Sequence, residues 1–564
     1  MSLGNIAAVV KDPRAAGDLT RRALLGGAAA AGAASLAFPS EGVASALAGA
    51  QGISSRWVGS VDGRRATIAA AGRFALVGLE WASPRAARIE LRTRRPDGEW
   101  GRWALASILG HGPDRPGPGP LLGEAVWTGS ADSVQLRADR PVRGVRLHFV
   151  SAREVSGVSA AAALARALPV LDAGPGQPPI ISRSAWARGQ APPRYPAGYG
   201  HVRLAFVHHT DTPNGYSPAE VPAMLMSMYR FHRYVRGWND IGYNFAIDLF
   251  GRIWEARAGG IDEAVIGAQA GAYNAVSTGV AVLGTFQDVV PSRAAIAALQ
   301  RLLAWKLSLH GIPVGGRVTV EVDPAGAAST PFAPGAHVSL PRIAGHRDGD
   351  ATGCPGDAFY ARLPAIRSRV SALAGSPAKL TLTANPAVLV AGAQLAVSGR
   401  LRRLSGPAIA GAELELQAVG PRGAATLQTT TTRADGSWSA TLAPGTSLVL
   451  RALHRAAPAS VSDVVVINVA PALTLSLVSI SPLRVAGTVS PPRPVTVDLY
   501  ALVAGGRQRL LTSKRVAAVG GRFTAQLRTR HHGPVRLTAR TAADADNAAG
   551  VSAPVNLTLR RAAL

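Results

Sequence analysis

The sequence predicts a multidomain chain: a central α/β domain with a mixed sheet and flanking helices, set between an N-terminal β-sandwich-like domain and two C-terminal immunoglobulin-like β-sandwiches. Three observations carry this. The chain has 564 residues, well beyond the size at which a single hydrophobic core stops growing, and roughly 150 residues per domain gives about four units. Strand and helix periodicities alternate only in its middle, the pattern of helices packed on a sheet. On either side the helical period vanishes, leaving short alternating runs punctuated by Gly and Pro turns.

The first segment, residues 1–50, reads as an export signal. Arg21 and Arg22 precede the uncharged stretch Ala23–Phe38 and then the small residues Ala44, Ser45 and Ala46. That stretch is shorter than the about 20 residues a bilayer span needs, and an Ala-x-Ala pattern suits cleavage, with an uncleaved anchor as the alternative. The paired arginines resemble a twin-arginine signal. The expected location is therefore secreted or cell-wall associated, and no later run is apolar enough to span a membrane.

Residues 55–152 read as the β-sandwich-like domain, from runs such as FALVGLEWAS, SVQLRAD and RGVRLHFVS. They carry five of the ten tryptophans, Trp57, Trp81, Trp100, Trp103 and Trp127, expected mainly as core, with stacking on sugar rings as the alternative. A small-residue linker, 153–178, ends in Pro and Gly. Residues 179–375 mix strand runs (RLAFVHHT, YNFAIDLFGRIWEA, TGVAVLGTF) with two helical patterns. In the second, Ile296, Leu299, Leu302, Leu303 and Leu307 fall at helical spacing and Gly311 is the stop signal. Residues 377–470 and 471–564 each show repeated strand patterns with a Gly turn before an aromatic-bearing strand (ADGSWSATL, VGGRFTAQL), the basis for two tandem immunoglobulin-like modules.

Lys plus Arg number 60 against 34 Asp plus Glu. The excess is spread as Arg through every module, without a recognition helix, an RNA-binding motif or a basic tail, which argues against nucleic acid as a partner. Anionic wall polymers suit an exported polycation better.

Cys354 is the only cysteine, so it has no intrachain disulfide partner in the oxidising compartment that export implies. A buried inert thiol, an intermolecular bridge, a nucleophile and a metal ligand all remain open. It shares the loop GHRDGDATGCPG with His346, and the strand RLAFVHHT ends in His208 and His209, of which alternation allows only one to face a shared point. Two imidazoles and a thiolate would form a three-ligand zinc site with a fourth position for water, the arrangement of catalytic rather than structural zinc. Satisfied core histidines beside an inert thiol are the alternative.

The ordered set IISRSAWARG, VHHTDTP, RGWNDIGYNFAIDLFGRIWEARAGG, GAQAGAYNAVSTGVAVLGTF and GHRDGDATGCPG resembles the zinc-dependent N-acetylmuramoyl-L-alanine amidases related to peptidoglycan recognition proteins, over residues 180 to about 370. The resemblance implies Zn2+ bound by His208, His346 and Cys354, Tyr243 beside the metal as a catalytic donor, and Thr352 as a second catalytic position. It implies an amidase acting on peptidoglycan, with a non-catalytic peptidoglycan-binding protein as the alternative; relatives of the latter kind typically lack the cysteine. Glu255 is a further candidate proton shuttle, with an exposed strand glutamate as the plainer reading. His209 is expected to orient or pack near the site, and His232 to be structural, packing against Trp238. Tyr273 and Asn274 match a segment that lines the substrate groove, and Gln269, where relatives often carry histidine, is expected to touch none of the ligands.

Overall fold

The structure is a computed structural model that describes residues 52–560 apart from 64–65, 84–86, 107–120, 152–169, 172–175, 387, 421–422, 504–506 and 545. The expected export signal and most of the expected linker lie outside the described residues. Among the described residues no helix is long and apolar enough to cross a membrane.

Seven strands form the N-terminal unit: β1 (Ile53–Val61), β2 (Ala66–Trp81), β3 (Ile89–Arg94), β4 (Ala104–Leu105), β5 (Leu121–Leu122), β6 (Val126–Ala138) and β7 (Val142–Val150). They hydrogen-bond as one antiparallel sheet in the order β1-β7-β2-β6-β3-β4, with β5 on β2. The register of β2 on β6 shifts between Ala69 and Phe74 and again before Leu76, and such irregularities let a long strand bend over its own core. Val77, Leu79, Trp81, Ile89, Leu136 and Leu147 fill that core. The tryptophans divide by position. Trp81 and Trp127 are buried, whereas Trp57 on edge strand β1 is 60% exposed and Trp100 and Trp103 are half-buried. The core expectation therefore holds for two of the five; the others sit at an edge or on an outer face, where alternation turns them away from the core.

The central unit contains β8 (Val170–Leu171), β9 (Ile180–Ile181), β10 (Leu204–His209), β11 (Phe245–Ile247), β12 (Ile253–Glu255), β13 (Ser277–Val282), the hairpin β14 (Arg317–Glu321) with β15 (His337–Pro341), and β16 (Ile343–Gly345). Its sheet runs β16-β10-β13-β11-β12-β9-β8 and is mixed: β10 is parallel to both neighbours, while β11 and β12 are antiparallel. The helices are α1 (Ser184–Ala187), α2 (Val221–Arg230), α3 (Arg293–Leu309), α4 (Asp357–Tyr360) and α5 (Leu363–Ala374). Ser292 caps α3 by accepting from the Ala295 N–H at 3.0 Å, which satisfies a donor the helix cannot pair itself.

These helices divide the sheet's faces. On one, Leu299, Leu302 and Leu303 of α3 pack against Ala205, Val207, Val280 and Val282. On the other, Leu225 and Met228 of α2 pack with Ala246, Trp254 and Ala281, and this core continues into Ile53, Leu76, Trp127 and Val150 of the N-terminal sheet. The N-terminal unit is thus fused by shared apolar burial to one particular face of the central sheet.

Beyond residue 377 the described residues form strands and the turns between them, without a helix. Ala378–Leu380, Thr383–Asn385, Leu395–Arg403 and Ser437–Leu442 form one sheet, and six strands between Val388 and Ala470 form another. Leu401, Leu416, Trp438 and Leu450 are buried in their common core. A second pair of sheets spans Ala472–Leu559 around Val485, Val497, Phe523 and Leu537. Arg451 of the first pair is buried against the central unit, its guanidinium 2.9 Å from Asp262 and 2.6 Å from Glu263.

Candidate metal centre

All six residues of β10 are buried, as expected for a central parallel strand covered on both faces. Parity then separates the two histidines. Ala205 and Val207 face α3, and His209 follows them. Leu204 and Phe206 face the opposite side, against Tyr273 and the β14–β15 hairpin, and His208 follows them. That side is the one the N-terminal unit covers.

His346 directly follows β16, whose Ile343–Gly345 pair in parallel with Ala205–Val207. Its ring centroid lies 4.5 Å from that of His208. The chain then loops back: the Arg347 N–H donates to the Cys354 carbonyl at 3.0 Å, Thr352 Oγ1 accepts from the Cys354 N–H at 3.2 Å, and the Arg347 guanidinium donates to the Gly353 carbonyl and pairs with Asp357 at 2.5 Å. Gly356, at φ +93°, is required here because a Cβ would meet the Phe286 carbonyl oxygen at 2.3 Å. The loop presents the Cys354 Sγ 3.8 Å from His208 Nδ1.

The ligand atoms of His208, His346 and Cys354 all lie within 4.8 Å of one another, and all three side chains are buried. Tetrahedral bonds of 2.1 Å to nitrogen and 2.3 Å to sulfur separate the two ligands by about 3.6 Å, close to the observed sulfur–nitrogen spacing. The outward nitrogens support the same reading. His208 Nε2 is 2.5 Å from Gln269 Oε1, and His346 Nε2 is 2.9 Å from Asp350 Oδ2. An amide oxygen and a carboxylate each take an N–H from Nε2, which directs the Nδ1 lone pair inward, as in ligating histidines. The donor set fits zinc.

Burial pushes the Cys354 thiol well above its ordinary pKa, and the His209 N–H, donating to Sγ at 3.4 Å, opposes this. Tyr243 is 2% exposed, with its ring centroid 5.3 Å from that of His208. Burial raises its phenol well above the usual value, and the Glu124 carboxylate and Cys354 add to the rise. Tyr243 is therefore a neutral hydrogen-bond donor across the physiological range. Glu124 comes from the N-terminal unit and pairs with Arg236 of the central unit at 3.0 Å.

Several sequence expectations need correction. Gln269 does touch a predicted ligand: its loop lies across β13 from His208, and its Nε2 donates to Ser277 Oγ at 2.8 Å. Glu255 is partly buried, accepting the Arg183 N–H at 2.8 Å, so it is neither an exposed strand residue nor joined to the cluster. Tyr273 does not line a groove. It packs in the core 5.7 Å from Phe206, because Asn274 Oδ1 accepts the N–H groups of Gln269 and Ala270 and tightens the turn that carries it. His232 stacks on Trp238 at 4.5 Å, and His209 packs beside Phe286 at 6.5 Å. Gln269 and Glu124 join the site from distant positions that carry no local signal, whereas Asp350 lies four residues after His346, a spacing visible in the sequence.

Among known proteins, residues 198–357 match the N-acetylmuramoyl-L-alanine amidase family. Peptidoglycan-recognition protein LB of Drosophila melanogaster is 30% identical over 185 residues, 33% of this chain and 67% of that protein. The chain belongs to the amidase family that includes the peptidoglycan recognition proteins. Peptidoglycan recognition protein 1 of Bos taurus is 30% identical over 160 residues, 28% of this chain and 69% of that protein. The solved structure of wild-type Drosophila PGRP-LB is 28% identical, covering 33% of this chain and 91% of that one, with a TM-score of 0.25. The span matched by the amidase family contains His208, Tyr243, His346, Thr352 and Cys354. Residues 39–167 match the Rv3811 N-terminal galactose-binding domain-like family, so in this chain a galactose-binding-like domain precedes the amidase-family domain.

Proposed function

We propose that this chain is an exported zinc hydrolase that cleaves the amide bond between N-acetylmuramic acid and L-alanine in peptidoglycan. The observation that carries the reading is the convergence of two imidazoles and one thiol, each ring held through Nε2 by a separate acceptor. His208, His346 and Cys354 would hold the ion. A zinc ion there supplies Lewis-acid polarisation of the amide carbonyl and lowers the pKa of water towards about 7.

The chain's own residues do the rest. Gln269 and Asp350 fix both rings against rotation. Tyr243, kept neutral by burial, donates to the carbonyl oxygen as negative charge develops there. Thr352 shapes the loop through its bond to the Cys354 N–H and lines a cleft beside the cluster. Buried surroundings strengthen each of these interactions relative to water.

The two C-terminal sheet pairs fit immunoglobulin-like sandwiches that space the enzyme from, or hold it to, the wall. The paired arginines and small-residue site favour the twin-arginine route, with the protein released or retained at the wall. Non-catalytic peptidoglycan binding is the second reading, and retention of Cys354 in the cluster favours hydrolysis over it.

Purified protein is expected to contain about one zinc per chain and to release stem peptides with a free L-alanine N-terminus from sacculi, seen by mass spectrometry. Intact sacculi after incubation with zinc-loaded protein would refute the hydrolase reading. Cys354→Ser is expected to abolish release while retaining muropeptide binding.

A further inference from the structure

A cleft of about 1620 Å³ separates the N-terminal unit from the amidase domain. Its amidase wall includes His209, Thr352 and Gly353 of the metal centre's own strand and loop; its opposite wall includes Arg92, Trp100 and Trp103. Pockets for small molecules run to roughly 300–1,000 Å³, so this one has room for several linked rings.

The opposite wall is built before any ligand arrives. The Arg94 guanidinium lies 5.9 Å from the Trp100 ring, Arg92 lies 5.2 Å from Trp100 and 4.8 Å from Trp103, and Arg137 lies 4.4 Å from Trp103. Each guanidinium is itself tied down: Arg92 Nε donates to Gln135 at 2.9 Å, Arg94 Nε to Asp132 at 3.1 Å and Arg137 Nε to Glu90 at 2.6 Å. The indoles are thus half-buried and held in place, the condition for low-entropy binding. Because acidic or amide partners already engage these arginines, what the wall presents to the cleft is half-buried indole backed by guanidinium more than free positive charge. The amidase wall adds Asp211, Glu220 and Asp288, which disfavours a polyanion.

On the amidase wall, Asp211 sits at φ +54°, a conformation few non-glycine residues adopt. It is 7% exposed. Thr285 donates to its Oδ1 at 3.2 Å, whereas Oδ2 is buried without a hydrogen-bond partner among the described residues. A buried acceptor of this kind is expensive unless a ligand satisfies it.

We propose that the N-terminal unit is the second wall of the substrate groove and binds the polysaccharide strand, with sugar rings stacked on Trp100 and Trp103 and a substrate N–H or O–H donated to Asp211. The assignment rests on the peptidoglycan reading of the amidase domain. It extends that reading to a glycan site on a different domain.

Peptide-free glycan strands, which contain no scissile amide, are the probe, titrated into the full chain by calorimetry and tryptophan fluorescence. The wild type is expected to bind with a change in indole emission. The double variant Trp100→Ala/Trp103→Ala should lose at least tenfold in affinity, Trp100→Phe/Trp103→Phe should stay within about threefold, and Trp57→Ala should bind like the wild type. Unchanged affinity in the double alanine variant, or tighter binding of a phosphodiester polymer than of glycan, overturns the proposal. If the double alanine variant does not fold, the folded single variants Trp100→Ala and Trp103→Ala carry the test: a loss beyond about threefold in either, with Trp57→Ala unaffected, supports stacking, and unchanged affinity in both overturns it. Sacculi left intact by a protein that still binds peptide-free glycan would refute hydrolysis alone.

Discussion

Gln269 Oε1 lies 2.5 Å from His208 Nε2, and the same amide donates to Ser277 Oγ at 2.8 Å. The second bond fixes which end of the amide faces the ring, so His208 is the Nε2–H tautomer with its Nδ1 lone pair directed at Cys354. Gln269→Leu removes the acceptor and frees the ring to turn. Zinc affinity is expected to fall 10–100-fold, the usual loss for such partners, measured by competition with a chromophoric chelator. Gly279→Ala tests the same contact from behind, since its Cβ would meet the Gln269 side chain at 2.4 Å. An affinity unchanged in both variants would show that the amide does not orient the ring.

Zinc uptake should depend on pH through Cys354. Burial holds the thiol protonated well above its ordinary value, whereas the metal takes the thiolate. The sign follows: over pH 7–9 the thiolate fraction of the metal-free protein rises with pH, and affinity rises with it, about tenfold per unit for one proton displaced. Calorimetry in buffers of differing ionisation enthalpy should count that proton. Affinity flat across this range, with no proton released, would contradict a buried thiol as ligand.

How much of this was legible depends on sequence distance. The loop from Gly345 to Gly356 could be read directly, because Gly, Asp and Pro leave it few conformations and His346 and Cys354 lie within it. The choice between His208 and His209 could not, since alternation defines two faces but only the neighbouring strands and helices decide which one is the site. The contact of Gln269 with His208 is not legible, because it spans 61 positions and arises from a turn closed by Asn274. Tyr273 was misplaced for the same reason: the turn that resembles a groove lining rotates the ring into the core. The N-terminal unit's approach was invisible, as the Arg236–Glu124 pair joins residues 112 apart.

That approach can be tested at Gly78 on β2. A Cβ there would meet the Phe231 ring at 2.0 Å, so glycine lets an aromatic ring from the end of α2 lie against the strand. Arg230 donates to the Ser151 carbonyl at 2.8 Å and Arg236 to the Gly123 carbonyl at 2.9 Å beside it. Gly78→Val is expected to force the units apart and to destabilise the protein by about 1–3 kcal/mol, the range for overpacking. Thermal unfolding should show the loss and limited proteolysis should show earlier cleavage between the units. A variant melting like the wild type would mean that the two units do not share this core.

Arg451 provides the corresponding test at the other end of the amidase domain. It is 2% exposed and pairs with Asp262 and Glu263, while Lys306 donates to the Ile261 and Glu263 carbonyls at 2.7 Å each. Arg451→Ala leaves two acidic groups without their guanidinium and is expected to cost about 3–5 kcal/mol, as when one partner of a buried pair is removed. The loss should depend on pH. Burial raises Glu263 to about 7 from 4.5 despite the opposing Arg451 charge, so the folded state holds this proton more tightly than the unfolded state does. The stability it contributes is complete below about pH 4.5 and is lost as pH rises through 7. Removing Arg451 removes the charge that favours the carboxylate, raises this value further and extends the loss to higher pH. Burial and, after it, the Arg451 charge hold Lys306 down at about 7, so removing Arg451 raises Lys306 and relieves like-charge repulsion where Lys306 is protonated, which shrinks the deficit at low pH in the same direction. Denaturant unfolding at pH 5 and pH 8 should therefore show a smaller deficit in the variant at pH 5, where Glu263 is neutral in both proteins. Equal deficits at the two pH values would show that Glu263 does not titrate in this range.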